Sequence, residues 1–385
     1  MLIGVFWQSV LWIWQSQNAI VGTIKEIEMN QYTLFTKVQD YYKDLVEKLA
    51  TAQQSISMTY LSFDSGEWSE RIAEVLTAKA AEGVRARLMV DEVGQLFDEP
   101  RHAVNNIALF NHLRSHGVQV DAFRPASPLQ VTNRMHCKIA AIDNRTAFLG
   151  GSNIGDYYTT WTDTNLRVDG SLGDTFHQIY DFLNSHSQKG TSSSARILEP
   201  KNLLAGNDRL WLTIPRQQYD IRDALMKLIQ DADKSIFIRT WYFLPDDEML
   251  NALCEKAKSG VRVNVLLSHE TRVRPVDFAN YIHVHKLVCA GGNVYRYAGK
   301  YMHSKAAWNN NGDVLFGSAN LDPTSMHNNF ESCLQIQDSK LVWELRHAFY
   351  ADLATSPKQT PESYLRRSLA DKALTHACNL VSSWL

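Results

Sequence analysis

Residues 134–153 read RMHCKIAAIDNRTAFLGGSN, two short apolar runs around an Asp-Asn-Arg turn, which predicts two buried strands with His136 and Lys138 inside the first. A polar pair within an apolar strand is costly to bury unless partners meet it. The same figure returns at 302–320, MHSKAAWNNNGDVLFGSAN, where His303 and Lys305 stand at the same separation. Asn153 follows His136 at the distance at which Asn320 follows His303. In that register Ser152 aligns with Ala319 and Gly151 with Ser318. Two acids follow at nearly matched distances, Asp163 beyond the first histidine and Glu331 beyond the second.

The repeat extends upstream of both stretches. YYKDLVEKLATAQQSISMTYLSF, from Tyr41, resembles QYDIRDALMKLIQDADKSIFIRTWYFL, from Gln218: an amphipathic helix, a polar turn and a β-rich run. A second helix follows in each copy and ends at Gly83 or Gly260, a position suited to a helix C-cap, before Val-Arg and a buried strand. A third helix, LFNHLRSHGVQVDAF in one copy and VHKLVCAGGNVYRY in the other, precedes each His-x-Lys stretch. Alternation of helix and strand predicts an α/β fold of two pseudo-twofold-related sandwich halves, each with a partly parallel sheet. The halves are expected at 30–190 and 197–385, the second ending in a C-terminal helix, with NSHSQKGTSSSAR, 184–196, as the linker. Duplication would bring both His-x-Lys edges together, placing the site at the interface.

Composition narrows the classes. The 385 residues, 45% hydrophobic and 10% aromatic, suffice for two cores. A net charge of −2 gives no footprint for a general nucleic-acid binder, so no nucleic-acid partner is expected and an anionic substrate must be met locally. Five cysteines, at 137, 254, 289, 333 and 378, lack CxxC spacing and suggest neither a disulfide framework nor a zinc site. Residues 1–29 form a separate apolar segment, and 1–24 carry no charged side chain. LIGVFWQSVLWIW is too short to span a bilayer, and no Lys or Arg precedes it. Its tryptophans and largely one-sided apolar face predict an in-plane membrane helix, the alternative being a helix packed on the protein's own core or on a partner.

Paired lysines and asparagines without acidic metal ligands suit a phosphate oxyanion, whose charge fixed donors stabilise in the transition state. One imidazole can then attack phosphorus while the other protonates the departing oxygen. Each needs an acceptor on its far nitrogen to fix its tautomer, and Asp163 and Glu331 are the candidates. One His-x-Lys among 13 histidines is close to chance; the joint recurrence of histidine, lysine, asparagine and acid is not.

With these residues in view, the chain resembles the phospholipase D superfamily, whose signature is His-x-Lys followed after four residues by Asp. HCKIAAID, with His136, Lys138 and Asp143, matches fully, whereas HSKAAWNN places Asn310 where the family has aspartate. The resemblance covers roughly residues 30 to 350, and WYFLPDDEML (241–250) and GSANLDPTSMHNNFE (317–331) are similar to bacterial cardiolipin synthases. It implies a phosphohistidine intermediate with His136 as nucleophile and His303 as general acid, then base. It also implies that Lys138, Lys305, Asn153 and Asn320 hold the phosphate, that Asp163 and Glu331 orient the imidazoles, and that Asp143 and Asn310 support their loops. No metal or cofactor is required. The implied reaction moves a phosphatidyl group to the glycerol hydroxyl of phosphatidylglycerol, with phosphatidylethanolamine as another donor, at the cytoplasmic face of a membrane. Two alternatives stay open: hydrolysis, as a phospholipase D or a phosphodiesterase nuclease, and a non-catalytic lipid-binding scaffold.

Overall fold

Apolar residues at helical spacing, Val38, Tyr41, Tyr42, Leu45 and Leu49, form the buried face of α1 (Val38–Leu49), which follows β1 (Gln31–Lys37). The structure, a computed structural model, describes residues 30–124, 132–189 and 208–380. After α1 come β2 (Ser55–Tyr60), α2 (Glu67–Ala81), β3 (Arg85–Asp91), α3 (Glu92–Asp98), α4 (Ala103–Ser115) and β4 (Gln119–Phe123). Three antiparallel strands, β5 (Ile139–Ile142), β6 (Thr146–Gly150) and β7 (Thr162–Asp169), lead into α5 (Gly173–Lys189). The second copy runs β8 (Arg209–Ile214), β9 (Gln218–Tyr219), α6 (Asp220–Asp231), β10 (Ser235–Thr240), α7 (Asp247–Lys258), β11 (Arg262–Leu267), α8 (Arg274–Cys289) and β12 (Asn293–Arg296). It continues with β13 (Ala306–Asn309), β14 (Asp313–Gly317), β15 (Glu331–Gln337) and α9 (Ser339–Leu353). Two further helices, α10 (Pro361–Leu365) and α11 (Leu369–Leu380), close the described chain, and Cys378 of α11 packs with Val276 and Ala279 of α8.

The repeat seen in the sequence is a repeat of topology. One sheet has seven strands in the order β1-β7-β6-β5-β2-β3-β4, parallel from β2 to β4 and antiparallel elsewhere. The other has eight, β9-β8-β15-β14-β13-β10-β11-β12, the same order with β9 added at one edge. Period-two alternation sorts the side chains of the central strands between two sides. Ile139 and Ala141 of β5 and Trp308 of β13 join a core shared by both halves, whereas Ala140, Ile142 and Ala307 face cores under the outer helices. Phe176 and Tyr180 of α5 and Leu345 and Phe349 of α9 fill the shared core. Gly83 and Gly260 take φ of +90° and +93° just past α2 and α7, the left-handed conformation that a C-cap asks of its residue.

Two expectations need correction. His136 and Lys138 do not lie within a strand, because β5 begins at Ile139; the segment before it is held by a bridge from Met135 to Phe330. Residues 184–189 are not linker but the last turns of α5. Their polar composition hides a buried side chain, since His186 stacks on Phe123 and meets Phe330 edge-on at 4.8 Å. The rest of the expected linker, 190–196, and the apolar segment 1–29 lie outside the described residues.

Candidate active site

Each His-x-Lys segment leaves its own sheet and ties its backbone to the other half. His136 N donates to Phe330 O at 2.9 Å and Phe330 N to Arg134 O at 2.8 Å, just ahead of β15. Symmetrically, His303 N donates to Thr162 O at 2.7 Å and Thr162 N to Tyr301 O at 3.0 Å, at the start of β7. The next residue in each partner segment is the acid. His136 Nδ1 therefore lies 2.7 Å from Glu331 Oε1, and His303 Nδ1 lies 3.0 Å from Asp163 Oδ2. Order along the chain suggests Asp163 for the first histidine and Glu331 for the second; the crossed bridges exchange them.

An ionised carboxylate only accepts, so Nδ1 carries the proton in each ring and Nε2 keeps its lone pair. Two hydroxyls secure the acids. Ser152 Oγ donates to Asp163 Oδ2 at 3.0 Å, and Ser318 Oγ donates to Glu331 Oε2. These serines are not aligned in the repeat, yet do the same work from neighbouring positions. Gly151 stands where Ser318 aligns, and a Cβ there would come within 2.2 Å of Asp163 Oδ1. The Gly-Gly-Ser and Gly-Ser steps were the available signal for both hydroxyls.

Lys138 and Lys305 are 1% and 3% exposed, and each Nζ donates to the carbonyl of its own histidine, His136 at 2.9 Å and His303. Burial dominates the shifts of the lysines, the imidazoles and Asp163, whereas at Glu331 it is outweighed by His136 and Lys138, which hold that carboxylate below its usual value. It brings Lys138 down to about 8 and Lys305 to about 7, against the attraction of Glu331 and Asp163 respectively. It likewise lowers His136 to about 4, with Glu331 opposing and Lys138 adding to the fall, and pushes His303 well below the usual imidazole value. Asp163 rises to about 6, chiefly from burial and against Lys305. Both imidazoles are thus neutral near pH 7 in the free protein.

The two asparagines differ in their surroundings. Asn153 Oδ1 accepts from Ser62 N at 3.3 Å and its Nδ2 donates to the Tyr158 hydroxyl at 2.9 Å, whereas Asn320 Oδ1 is buried with no hydrogen-bond partner among the described residues. Asp143 and Asn310 are not brought to the histidines. They cap the far ends of their segments: Asp143 carboxylate oxygens accept the amides of Gln53, Gln54 and Ser55, and Asn310 Oδ1 accepts those of Asp233, Lys234 and Ser235. Asparagine keeps the acceptor that aspartate would supply.

Sequence reading missed the walls. Trp161 and Trp241 stack at 5.3 Å and stand edge-on to His303 at 5.6 and 4.9 Å. Beside His136 there is instead an Arg134–Asp91 ion pair, with Met135 N donating to Asp91 Oδ2 at 2.8 Å. The pseudo-symmetric frame therefore holds two chemically different flanks.

Comparison with known proteins points one way. The family described as cardiolipin synthase, PLD-like domain, matches residues 45–180 and 225–353. Cardiolipin synthase 1 of Staphylococcus epidermidis is 31% identical over 371 residues, 92% of this chain and 74% of that one. The major cardiolipin synthase of Bacillus subtilis is 29% identical over 358 residues, 89% and 73% of the two chains. Among solved structures, a phosphatidylserine synthase of Haemophilus influenzae superposes with a TM-score of 0.74, covering 92% of this chain and 95% of its own at 14% identity, a likeness of fold. From the doubled His-x-Lys frame and these matches, the chain belongs to the phospholipase D superfamily, in its cardiolipin synthase-like family.

Proposed function

We propose that the enzyme is a cardiolipin synthase that transfers a phosphatidyl group through a phosphohistidine to phosphatidylglycerol. The observation that carries this reading is the pair of imidazoles, each held at Nδ1 by a carboxylate of the opposite half. In the first step His136 Nε2 attacks the donor phosphorus, a P–N bond forms, and the P–O bond to the leaving glycerol breaks as His303 Nε2–H gives that oxygen its proton. In the second, His303 takes the proton of a glycerol hydroxyl on a second phosphatidylglycerol; the oxygen attacks phosphorus and the P–N bond breaks, restoring His136. Glycerol and cardiolipin are the products. His303 acquires its proton with the substrate, because a phosphodiester anion beside it favours the imidazolium.

Lys138 and Lys305 supply the positive charge that the phosphoryl oxygens need, and Asn153 and Asn320 the neutral donors. Asp163 and Glu331 hold the rings. We assign the halves to 30–190 and 197–385 as functional units, and 1–24 to the bilayer surface. Among the described residues no helix is long and apolar enough to cross a membrane. Five free thiols fit work at the cytoplasmic face, where the compartment is reducing.

Incubating the purified full chain with phosphatidylglycerol vesicles, with and without phosphatidylethanolamine, and weighing the products by mass spectrometry tests the reading. Cardiolipin with released glycerol is expected. Phosphatidic acid as the main product would make water the acceptor and the enzyme a hydrolase, and no product from either lipid would return the chain to a binding role.

A further inference from the structure

Asn153 sits at the end of a hydrogen-bond chain whose far end is anchored by the other half of the molecule. The Tyr158 hydroxyl, which meets Asn153 Nδ2, also reaches Asp98 Oδ2, and the Tyr157 hydroxyl joins the same oxygen at 2.6 Å. The other Asp98 oxygen takes Arg272 Nη1 at 2.9 Å, and the Arg272 guanidinium lies 5.6 Å from the Tyr157 ring centroid. Asp98 ends α3, which follows β3; Arg272 lies in the loop that follows β11. These strands correspond in the two sheets, so the ion pair forms only where the halves meet.

The direction of the chain follows from what each group can do. A carboxylate only accepts, so Tyr158 gives its proton to Asp98 and turns a lone pair to Asn153. That lone pair calls for N–H, and Ser62 N calls for the amide oxygen. The amide is thereby fixed, with one N–H spent on the phenol and the second left over. In the other half the position of Tyr158 is taken by Ser325, whose Oγ accepts the backbone amide of Asn320 at 3.1 Å and leaves Asn320 Oδ1 without a partner among the described residues.

We infer that Arg272 is a positioning residue: through Asp98 and Tyr158 it holds the second Asn153 N–H toward the phosphate, and does so only when the two halves are docked. This rests on the proposed reading of Asn153 as a phosphate donor. Arg272 holds the Asp98 carboxylate in place through its other oxygen, Asp98 fixes the phenol, and the phenol fixes the amide.

The test uses the full-length chain with Tyr158→Phe, Arg272→Gln, Arg272→Lys, Asn153→Ala and the Tyr158→Phe, Asn153→Ala double variant. Steady-state turnover of phosphatidylglycerol gives kcat and KM, and calorimetry gives the affinity for inorganic vanadate, a phosphoryl transition-state mimic. Tyr158→Phe and Arg272→Gln are expected to lower kcat about tenfold with KM within about twofold, and Arg272→Lys to recover most of the loss. On the Asn153→Ala background Tyr158→Phe should change kcat and vanadate affinity by less than about twofold, because the residue it acts through is gone. A full loss persisting on that background, or a Tyr158→Phe variant equal to the parent in both readouts, overturns the inference. A parent that binds vanadate in a Tyr158-dependent way but makes neither cardiolipin nor phosphatidic acid overturns the substrate reading and leaves this one standing. A parent that neither turns over lipid nor binds vanadate overturns both.

Discussion

His136 and His303 lie in different halves and their carboxylates arrive crosswise; the proposed mechanism makes the two imidazoles one unit. Residues that act as one unit are non-additive. His136→Ala and His303→Ala should each abolish transfer while leaving the melting temperature near that of the parent, and the double variant should be no slower than either. A markedly slower double variant would show that the imidazoles work separately. On the proposed mechanism, the titration shifts predict the pH response of kcat/KM. Asp163 must be ionised to hold His303, and with burial raising it to about 6, activity falls as pH drops through that value. Lys305 must stay charged to meet the phosphoryl oxygens, and with burial lowering it to about 7, activity falls as pH rises through that value. A bell with limbs near those two values is expected for the free enzyme, set by Asp163 and Lys305 as a coupled pair. His136, lowered to about 4, contributes nothing above pH 5. A profile flat from pH 5 to 9 would remove both groups from the mechanism.

The turns that end β5 and β13 show how one element can tolerate a changed residue. Asp143 and Asn310 both use a side-chain oxygen to gather three successive backbone amides ahead of β2 and β10. Asn310 also donates from Nδ2 to Asp233, which an aspartate would meet as a second anion. Asn310→Asp should therefore change kcat/KM less than about tenfold and lower stability by about 0.5 kcal/mol at this partly exposed position. Denaturant titration beside a turnover assay checks it, and a rise of several orders of magnitude would place Asn310 in the chemistry. The helices and strands were legible in sequence because apolar period and terminal glycine agree in both copies, as at Gly83 and Gly260. The end of α5 was not, because its Ser, Gln and Lys read as linker while the burial of His186 depends on Phe123 and Phe330, distant in sequence. Ser152 and Ser318 escaped for a related reason: equivalent work is done from positions that the repeat does not align.

At the scale of the molecule, pairing the same two sheets about one site makes neither half sufficient. The residue types that meet at the candidate site and their repeat could be read from the chain, but the exchange of Asp163 and Glu331 could not, since it arises from backbone bridges between the halves. The aromatic flank of His303 was hidden likewise, because Trp161 and Trp241 come from different halves. Residues 1–24 add a prediction about place of action. Deleting them should leave turnover of a short-chain soluble phospholipid within about twofold of the parent while reducing sedimentation with liposomes, and the reduction should depend little on salt because the segment carries no charge. Equal vesicle binding by both proteins would return the segment to a packing role. The central claim, a phosphatidyl group carried on His136, is tested most directly in His303→Ala with phosphatidyl-p-nitrophenol, whose leaving group needs no proton and whose adduct then lacks a base to discharge it. The account predicts a burst of about one equivalent of p-nitrophenol per chain and a phosphatidyl adduct found by mass spectrometry on the peptide that contains His136; no burst, or an adduct on any other residue, would contradict it.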